Sequence, residues 1–243
     1  MQWQDKGLVL SVKRHGENNA LLEVFTPKYG LHRGYVKGGA GRRKRADLQP
    51  GNLLNLTWRS RIEENLGSFT HEAIHSPLGT ILSDPKRLAA LSSMCSTLSA
   101  ALAERQAHPR LFEGFAAFVE VLEHDEADIK TIASSMVRVE AGVLKEIGFG
   151  LDLTACAVSG QLNDLAYVSP KSGRAVSLNE GKAYHDKLLL LPKFMWQSSD
   201  TITLEDCISG IELTGFFLKR HVWDVAGKDI PQARQRFLQY LRQ

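Results

Sequence analysis

Gly7-Leu-Val-Leu-Ser-Val-Lys13, Ala20-Leu-Leu-Glu-Val-Phe-Thr26 and Leu31-His-Arg-Gly-Tyr-Val-Lys37 are three apolar, β-branched runs. Two clusters of turn residues separate them, His15-Gly-Glu-Asn-Asn19 and Thr26-Pro-Lys-Tyr-Gly30. Runs of this length and composition read as strands. Two more follow: Leu53-Leu-Asn-Leu-Thr-Trp58 after a Pro50-Gly51 turn, and residues 66–74 after Ile62-Glu-Glu-Asn65. Five short strands in one compact stretch must avoid open edges, and closing into a small barrel does so. A five-stranded OB-fold barrel over residues 1–80 is the expectation, and an SH3-like barrel is its competitor.

Near residue 84 the apolar period changes. Ser83-Asp84-Pro85 is a helix-start signal, and Leu88, Leu91, Cys95, Leu98 and Leu102 then recur every three or four positions. Pro109 opens a second helix, with Leu111, Phe112, Phe115, Phe118, Val119 and Leu122 on one side. A third carries Ile129, Ile132, Met136, Val143 and Ile147 and ends at Gly148. Thr203-Leu-Glu-Asp206 resembles a capping box for a fourth, and Asp229-Ile-Pro231 starts a last one. Residues 150–200 read as mostly irregular chain. The fold class is therefore α+β, strands first: an OB barrel (1–80), then a mainly helical domain (81–243) with an irregular 150–200 insertion.

The 243 residues allow one large domain or two small ones. With 43% hydrophobic and 23% charged residues, wholesale disorder and collagen-like repeats are excluded. No apolar run approaches the ~18–20 residues of a membrane-spanning helix, and the polar start does not resemble a signal peptide. Three scattered cysteines, Cys95, Cys156 and Cys207, fit a reducing compartment. Charge is uneven. Residues 1–80 hold twelve Lys/Arg against seven Asp/Glu, residues 81–150 seven against ten, and residues 151–243 eleven against ten. A basic first third beside an acidic middle suggests that only the first module meets a polyanion.

The densest charge is Arg42-Arg-Lys-Arg45, after Gly38-Gly-Ala-Gly41. Read as a flexible loop, it presents cations to phosphates, helped by Arg33, Lys37, Arg59 and Arg61. Phe25, Tyr29, Tyr35 and Trp58 could stack on bases, although burial in the barrel is the plainer reading for each. Other motifs fail. His71-Glu-Ala-Ile-His75 spells a zinc-protease pattern but continues a strand, where residues four apart lie ~13 Å from each other; two surface histidines are expected. Asp125-Glu-Ala-Asp128 spells a helicase box, but no phosphate loop accompanies it, so a capped connection is expected. Glu63 and Glu64 read as a solvated tip. Glu140 falls on the apolar seam of the third helix and needs a partner, for which an ion pair with another element is the plainer reading; Arg138 points elsewhere.

The combined pattern resembles the RecO family of bacterial recombination mediators. The residues that carry the resemblance are Trp3, Gly7-Leu-Val-Leu10, Glu17, Val24-Phe-Thr26, Gly30, Val36-Lys-Gly38, the basic run, Leu48-Gln-Pro50 and Trp58. They continue with Arg138-Val-Glu140, Leu144, Gly148-Phe149, Leu153, Cys156, Ser159-Gly160 and Tyr167-Val-Ser-Pro-Lys-Ser-Gly-Arg-Ala-Val176. The resemblance implies a protein that is not an enzyme and needs no cofactor. It implies binding to single- and double-stranded DNA, annealing of complementary strands, and loading of recombinase with RecR (and RecF) onto strands coated by single-stranded-DNA-binding protein. It also implies that the acidic C-terminal tail of that protein docks on the helical domain, where Arg138 is the expected receptor. A cytoplasmic, nucleoid-associated location follows. An OB-fold RNA-binding accessory protein is the alternative. Several RecO proteins hold four zinc-binding cysteines in the 150–180 region; here Cys156 remains and its C-x-x-C mate is Ser159, too few for tetrahedral zinc.

Overall fold

Alternate residues of the early strands face a common interior, as the period-two pattern requires. In the computed structural model, residues 1–62, 65–199 and 201–243 are described, Arg43 through its backbone only; the Glu63–Glu64 reading lies outside them. Five strands, β1 (Gln2–His15), β2 (Asn19–Thr26), β3 (Gly30–Val36), β4 (Leu53–Arg59) and β5 (Ser68–His75), close into a barrel in the order β1-β2-β3-β5-β4. This is the OB-fold. Strand β1 is long enough to serve two neighbours: its first half pairs with β4 and its second with β2, and a register shift between Val9 and Ser11 lies where it passes from one to the other. Val9, Leu22, Val24, Val36, Leu54, Leu56, Trp58 and Phe69 fill the interior.

Helix α1 (Arg42–Asp47) lies between β3 and β4, and α2 (Leu78–Ser83), α3 (Pro85–Ala101) and α4 (Pro109–Glu123) follow the barrel. Asp84 caps α3, accepting from the Lys86 amide at 2.8 Å. Leu88, expected on the buried face, is 39% exposed; Ala90 and Met94 complete that face with Leu91, Cys95 and Leu98. The Arg87 guanidinium, itself buried, donates to the carbonyls of Leu122, His124 and Asp125 and so satisfies the C-terminal end of α4. The chain divides into two compact units, Met1–Asp125 and Glu126–Gln243, so the change from strand to helix near residue 80 falls inside the first.

In the second unit, α5 (Ile129–Glu146) starts at Asp128, whose carboxylate accepts from the Thr131 amide and hydroxyl. The helicase-like letters are thus a capped connection. Residues 150–200, expected to be mostly irregular, hold a small antiparallel sheet of β6 (Leu165–Val168), β7 (Ala175–Ser177) and β8 (Leu189–Leu190), ordered β7-β6-β8, with a short α6 (Leu178–Gly181) after β7. Strands of two to four residues are too short to leave a periodic signal. Burial pushes the Cys156 thiol up, but hydrogen bonds from Ser159 and Ser177 outweigh it and bring it down to about 6. These residues offer one sulfur where a tetrahedral zinc needs four ligands.

Helix α7 (Leu204–Leu218) opens with the expected capping box of Thr203 and Asp206, and α8 (Gln232–Leu241) ends the unit. Glu140 on α5 is 0% exposed. Its partner is Arg234 of α8, bonded through both oxygens at 2.8 and 3.0 Å, and the Thr214 hydroxyl of α7 also donates to it. Gly215 leaves room for this guanidinium: a Cβ there would stand 2.6 Å from Arg234 Nη1. One buried ion pair thus ties three helices. Replacing Arg234 with Met should cost about 3–5 kcal/mol, because a bare carboxylate then stays buried. Hydrogen exchange of the α5, α7 and α8 amides in urea measures this, and adding Glu140→Leu should recover most of the loss.

Candidate nucleic-acid interface

The basic run is not a loose loop. Gly41 leads into α1, and the next residue after the helix, Leu48, is fully buried in the barrel core and anchors it. The Asn52 amide donates to the Ala46 and Asp47 carbonyls, and Lys44 Nζ donates to the Lys37 carbonyl at 2.8 Å. The start of the segment is pinned as well: Asn19 Oδ1 accepts from the Gly38 amide, and the Asn18 carbonyl accepts from the Ala40 amide. Arg42, Lys44 and Arg45 are exposed, as is Lys37. Propensity alone could not reveal a helix of six residues, since burial of the following leucine fixes it.

Arg59 and Arg61 are also exposed, and both line a hollow of about 720 Å³ with Gln2, Asn65 and Ser68. Among the described residues, no carboxylate pairs with Arg42, Arg45, Arg59 or Arg61. Arg33 differs. Its guanidinium bridges Glu23 at 2.6 Å and Glu104 at 2.7 Å, so its charge is already balanced within the unit.

The histidines of the zinc-protease pattern lie on β5, as expected, and take different carboxylates. His71 sits 3.5 Å from Asp47 and His75 2.6 Å from Glu123. The His71 side chain is nearly covered, which corrects its reading as a surface group; burial lowers its pKa more than Asp47 raises it. Among the described residues, no group of three or more His, Cys, Asp or Glu side chains is placed to hold a metal ion.

Of the four aromatics read from sequence, Phe25 and Trp58 are buried, Tyr29 is half-buried and Tyr35 is 37% exposed. The structure adds Trp3, His32 and Arg105. Trp3 stacks on Tyr29 at 4.3 Å between ring centres and lies near-parallel to Trp58 at 5.9 Å, with His32 edge-on to both tryptophans. Together with Arg105 these residues wall a hollow of about 420 Å³. Sequence reading missed Arg105 because it lies in the connection between α3 and α4, far along the chain from the strands it meets. Burial, helped by the Arg105 charge, pushes His32 down to about 4.

In the second unit Arg138 is exposed on α5, with its guanidinium 5.4 Å from the centre of the Phe194 ring. It lines a groove of about 710 Å³ with Lys145, Leu151, Leu153, Leu162 and Trp196. Met136, Val143 and Leu144, the apolar seam beside Arg138 in sequence, are fully buried and form no part of this groove. Its apolar wall comes from the 150–200 segment.

The two parts of the chain match two family models: "Recombination protein O N terminal" over residues 1–77 and "Recombination protein O C terminal" over residues 82–224. Curated relatives match along nearly the full length, each described as "DNA repair protein RecO". That of Rhodospirillum rubrum is 40% identical over 100% of this chain and 97% of its own length. That of Beijerinckia indica is 45% identical over 98% and 94%, and that of Caulobacter vibrioides 42% over 96% and 95%.

The buried imidazole gives a pH signature. His32 near 4, against the ordinary 6.5, means the unfolded chain takes up the proton first as pH falls. The stability from keeping His32 neutral is whole above pH 6.5 and is lost as pH falls through that value toward 4. The amount is on the order of 3 kcal/mol. A His32→Phe variant should show a flatter dependence of melting temperature on pH between 6.5 and 4, measured by calorimetry beside the wild type.

Proposed function

The chain belongs to the RecO family, with a role in DNA repair and recombination, and we propose that it fills this role by binding rather than by making or breaking bonds. In this reading it holds single- and double-stranded DNA, anneals complementary strands, and works with RecR (and RecF) to load recombinase onto strands covered by single-stranded-DNA-binding protein. Its place of work is the nucleoid. No helix among the described residues is long and apolar enough to cross a membrane.

The observation that carries the mediator reading is the groove at Arg138. An acidic tail that ends in an aromatic needs a cation beside an apolar trough, and this groove offers Arg138 and Lys145 against Leu151, Leu153, Leu162 and Trp196. Guanidinium suits a carboxylate because its fork can bond both oxygens. Glu140 does not compete, since both its oxygens are committed to Arg234. Lys219 is a weaker candidate, being paired with Asp224 at 2.7 Å. For DNA itself, Lys37, Arg42, Arg43, Lys44, Arg45, Arg59 and Arg61 are the proposed phosphate contacts. Arg33 is a poor one, held as it is by two glutamates.

The deciding experiment is annealing of complementary oligonucleotides coated with the cognate single-stranded-DNA-binding protein, without ATP. Acceleration supports the reading, and no effect on coated strands sinks it; a preference for RNA strands would favour the accessory-protein alternative. Two variants resolve the parts. Changing Arg42, Arg43, Lys44 and Arg45 to alanine should weaken binding evenly across sequences and flatten the log-affinity against log-salt slope by ~0.7 per lost contact on single strands. Arg138→Ala should lose tail-peptide binding by calorimetric titration while keeping its melting temperature and its affinity for bare DNA. An unchanged peptide affinity in the folded variant would move the tail elsewhere.

A further inference from the structure

Two hollows on the first unit share Met1 and Gln2 in their linings. One, of about 720 Å³, carries Arg59 and Arg61; the other, of about 420 Å³, is walled by Trp3, Tyr29, His32, Trp58 and Arg105. We propose that the aromatic hollow seats one unpaired nucleobase of a DNA single strand, while Arg59 and Arg61 hold the neighbouring phosphates. The proposal rests on the DNA-binding reading above and goes further by assigning a place where a base, rather than the backbone, is held.

Three observations support a base as the occupant. The first is planarity. Trp3 and Tyr29 stack on each other, 11° from parallel, and both remain half-buried rather than buried where they line the hollow. A base that extends this stack is held by its face alone, so the seat tolerates sequence. The second is unmet polarity. His32 is 3% exposed, and neither ring nitrogen has a hydrogen-bond partner in the protein. Buried polar atoms are nearly always paired, and a neutral imidazole offers one donor and one acceptor, as a base edge requires. The third is charge. Arg59 and Arg61 border the first hollow, and none of the described lining residues of either hollow is acidic. Cations beside stacked aromatics suit a nucleotide better than an acidic peptide, which would leave the rings idle.

Arg105 has the backbone conformation of a placed residue. Its φ of 65° lies in the left-handed region, where non-glycine residues are strained, and its guanidinium donates to the Asn65 carbonyl at 3.0 Å. A duplex keeps its bases paired and stacked, so the seat should discriminate for single strands, whereas the exposed cations of α1 should serve both forms.

The test uses the full chain with an oligo(dT) carrying one central 2-aminopurine, and a duplex of equal length. Wild-type protein should quench the 2-aminopurine on binding the single strand. Trp3 packs against Trp58, so its removal could disturb folding; Tyr29→Leu and Arg105→Asn are the better variants, the second because asparagine tolerates left-handed backbone. Each should bind the single strand about tenfold more weakly, with most of the quenching lost, and hold the duplex within twofold of wild type. Quenching unchanged in both variants would overturn the seat, as would an equal loss on single strand and duplex. Wild-type binding to both DNA forms without quenching would overturn the seat and leave the DNA-binding reading standing. Failure of wild-type protein to bind either form would overturn the DNA-binding reading itself.

Discussion

Strand β3 pairs with β2 along its whole length, but on its other side meets β5 only at Tyr35 and Val36. The stretch from Gly30 onward would otherwise present bare backbone groups at a barrel edge. The connection between α3 and α4 covers it: the Arg105 amide donates to the Leu31 carbonyl at 2.8 Å, and Leu31 and Glu104 form an isolated parallel bridge. Arg33 locks the cover in place by joining Glu104 to Glu23. The approach is so close that a side chain at Gly30, whose φ is +62°, would meet the Gln106 backbone. Barrel closure, the attachment of the α3–α4 connection and the placing of Arg105 in the aromatic hollow all follow from this edge.

The same physics sorts the cations of the first unit. Arg33 lies where two glutamates converge and serves the fold. Arg42, Arg45, Arg59 and Arg61 form no ion pair with a carboxylate among the described residues and lie exposed, where their charge can neutralise phosphate. All were alike as letters in a basic stretch. What separates them is whether tertiary packing has brought an acid to each.

The second unit uses charge differently. Glu140 and Arg234 are both buried, and their pairing joins α5, α7 and α8 through hydrogen bonds that also engage Thr214 and the Ile211 carbonyl. Arg138, two residues from Glu140, is left on the exposed side of α5, facing the groove that the 150–200 segment completes. The small sheet in that segment is held by short strands and by hydrogen bonds around Cys156, such as the one from the Ser177 amide at 3.2 Å.

The sequence by itself determined the five strands, the long helices and their order, because hydrophobic period and turn residues are local signals that survive any packing. Asp84, Asp128 and Thr203 could be recognised as caps for the same reason: a cap and the amide it accepts from lie within three residues. Glu140 could be recognised as needing a partner, but not as belonging to Arg234. The two-residue β8, the six-residue α1, the bridge from Arg33 to Glu104 and the meeting of Trp3, His32 and Arg105 left no such trace. Each depends on contacts between segments far apart in the chain, whose free energy comes from burying one surface against another, and no window of sequence contains both surfaces. Which residues are basic or aromatic was written in the chain; which of the described ones line a hollow was decided only when the barrel closed.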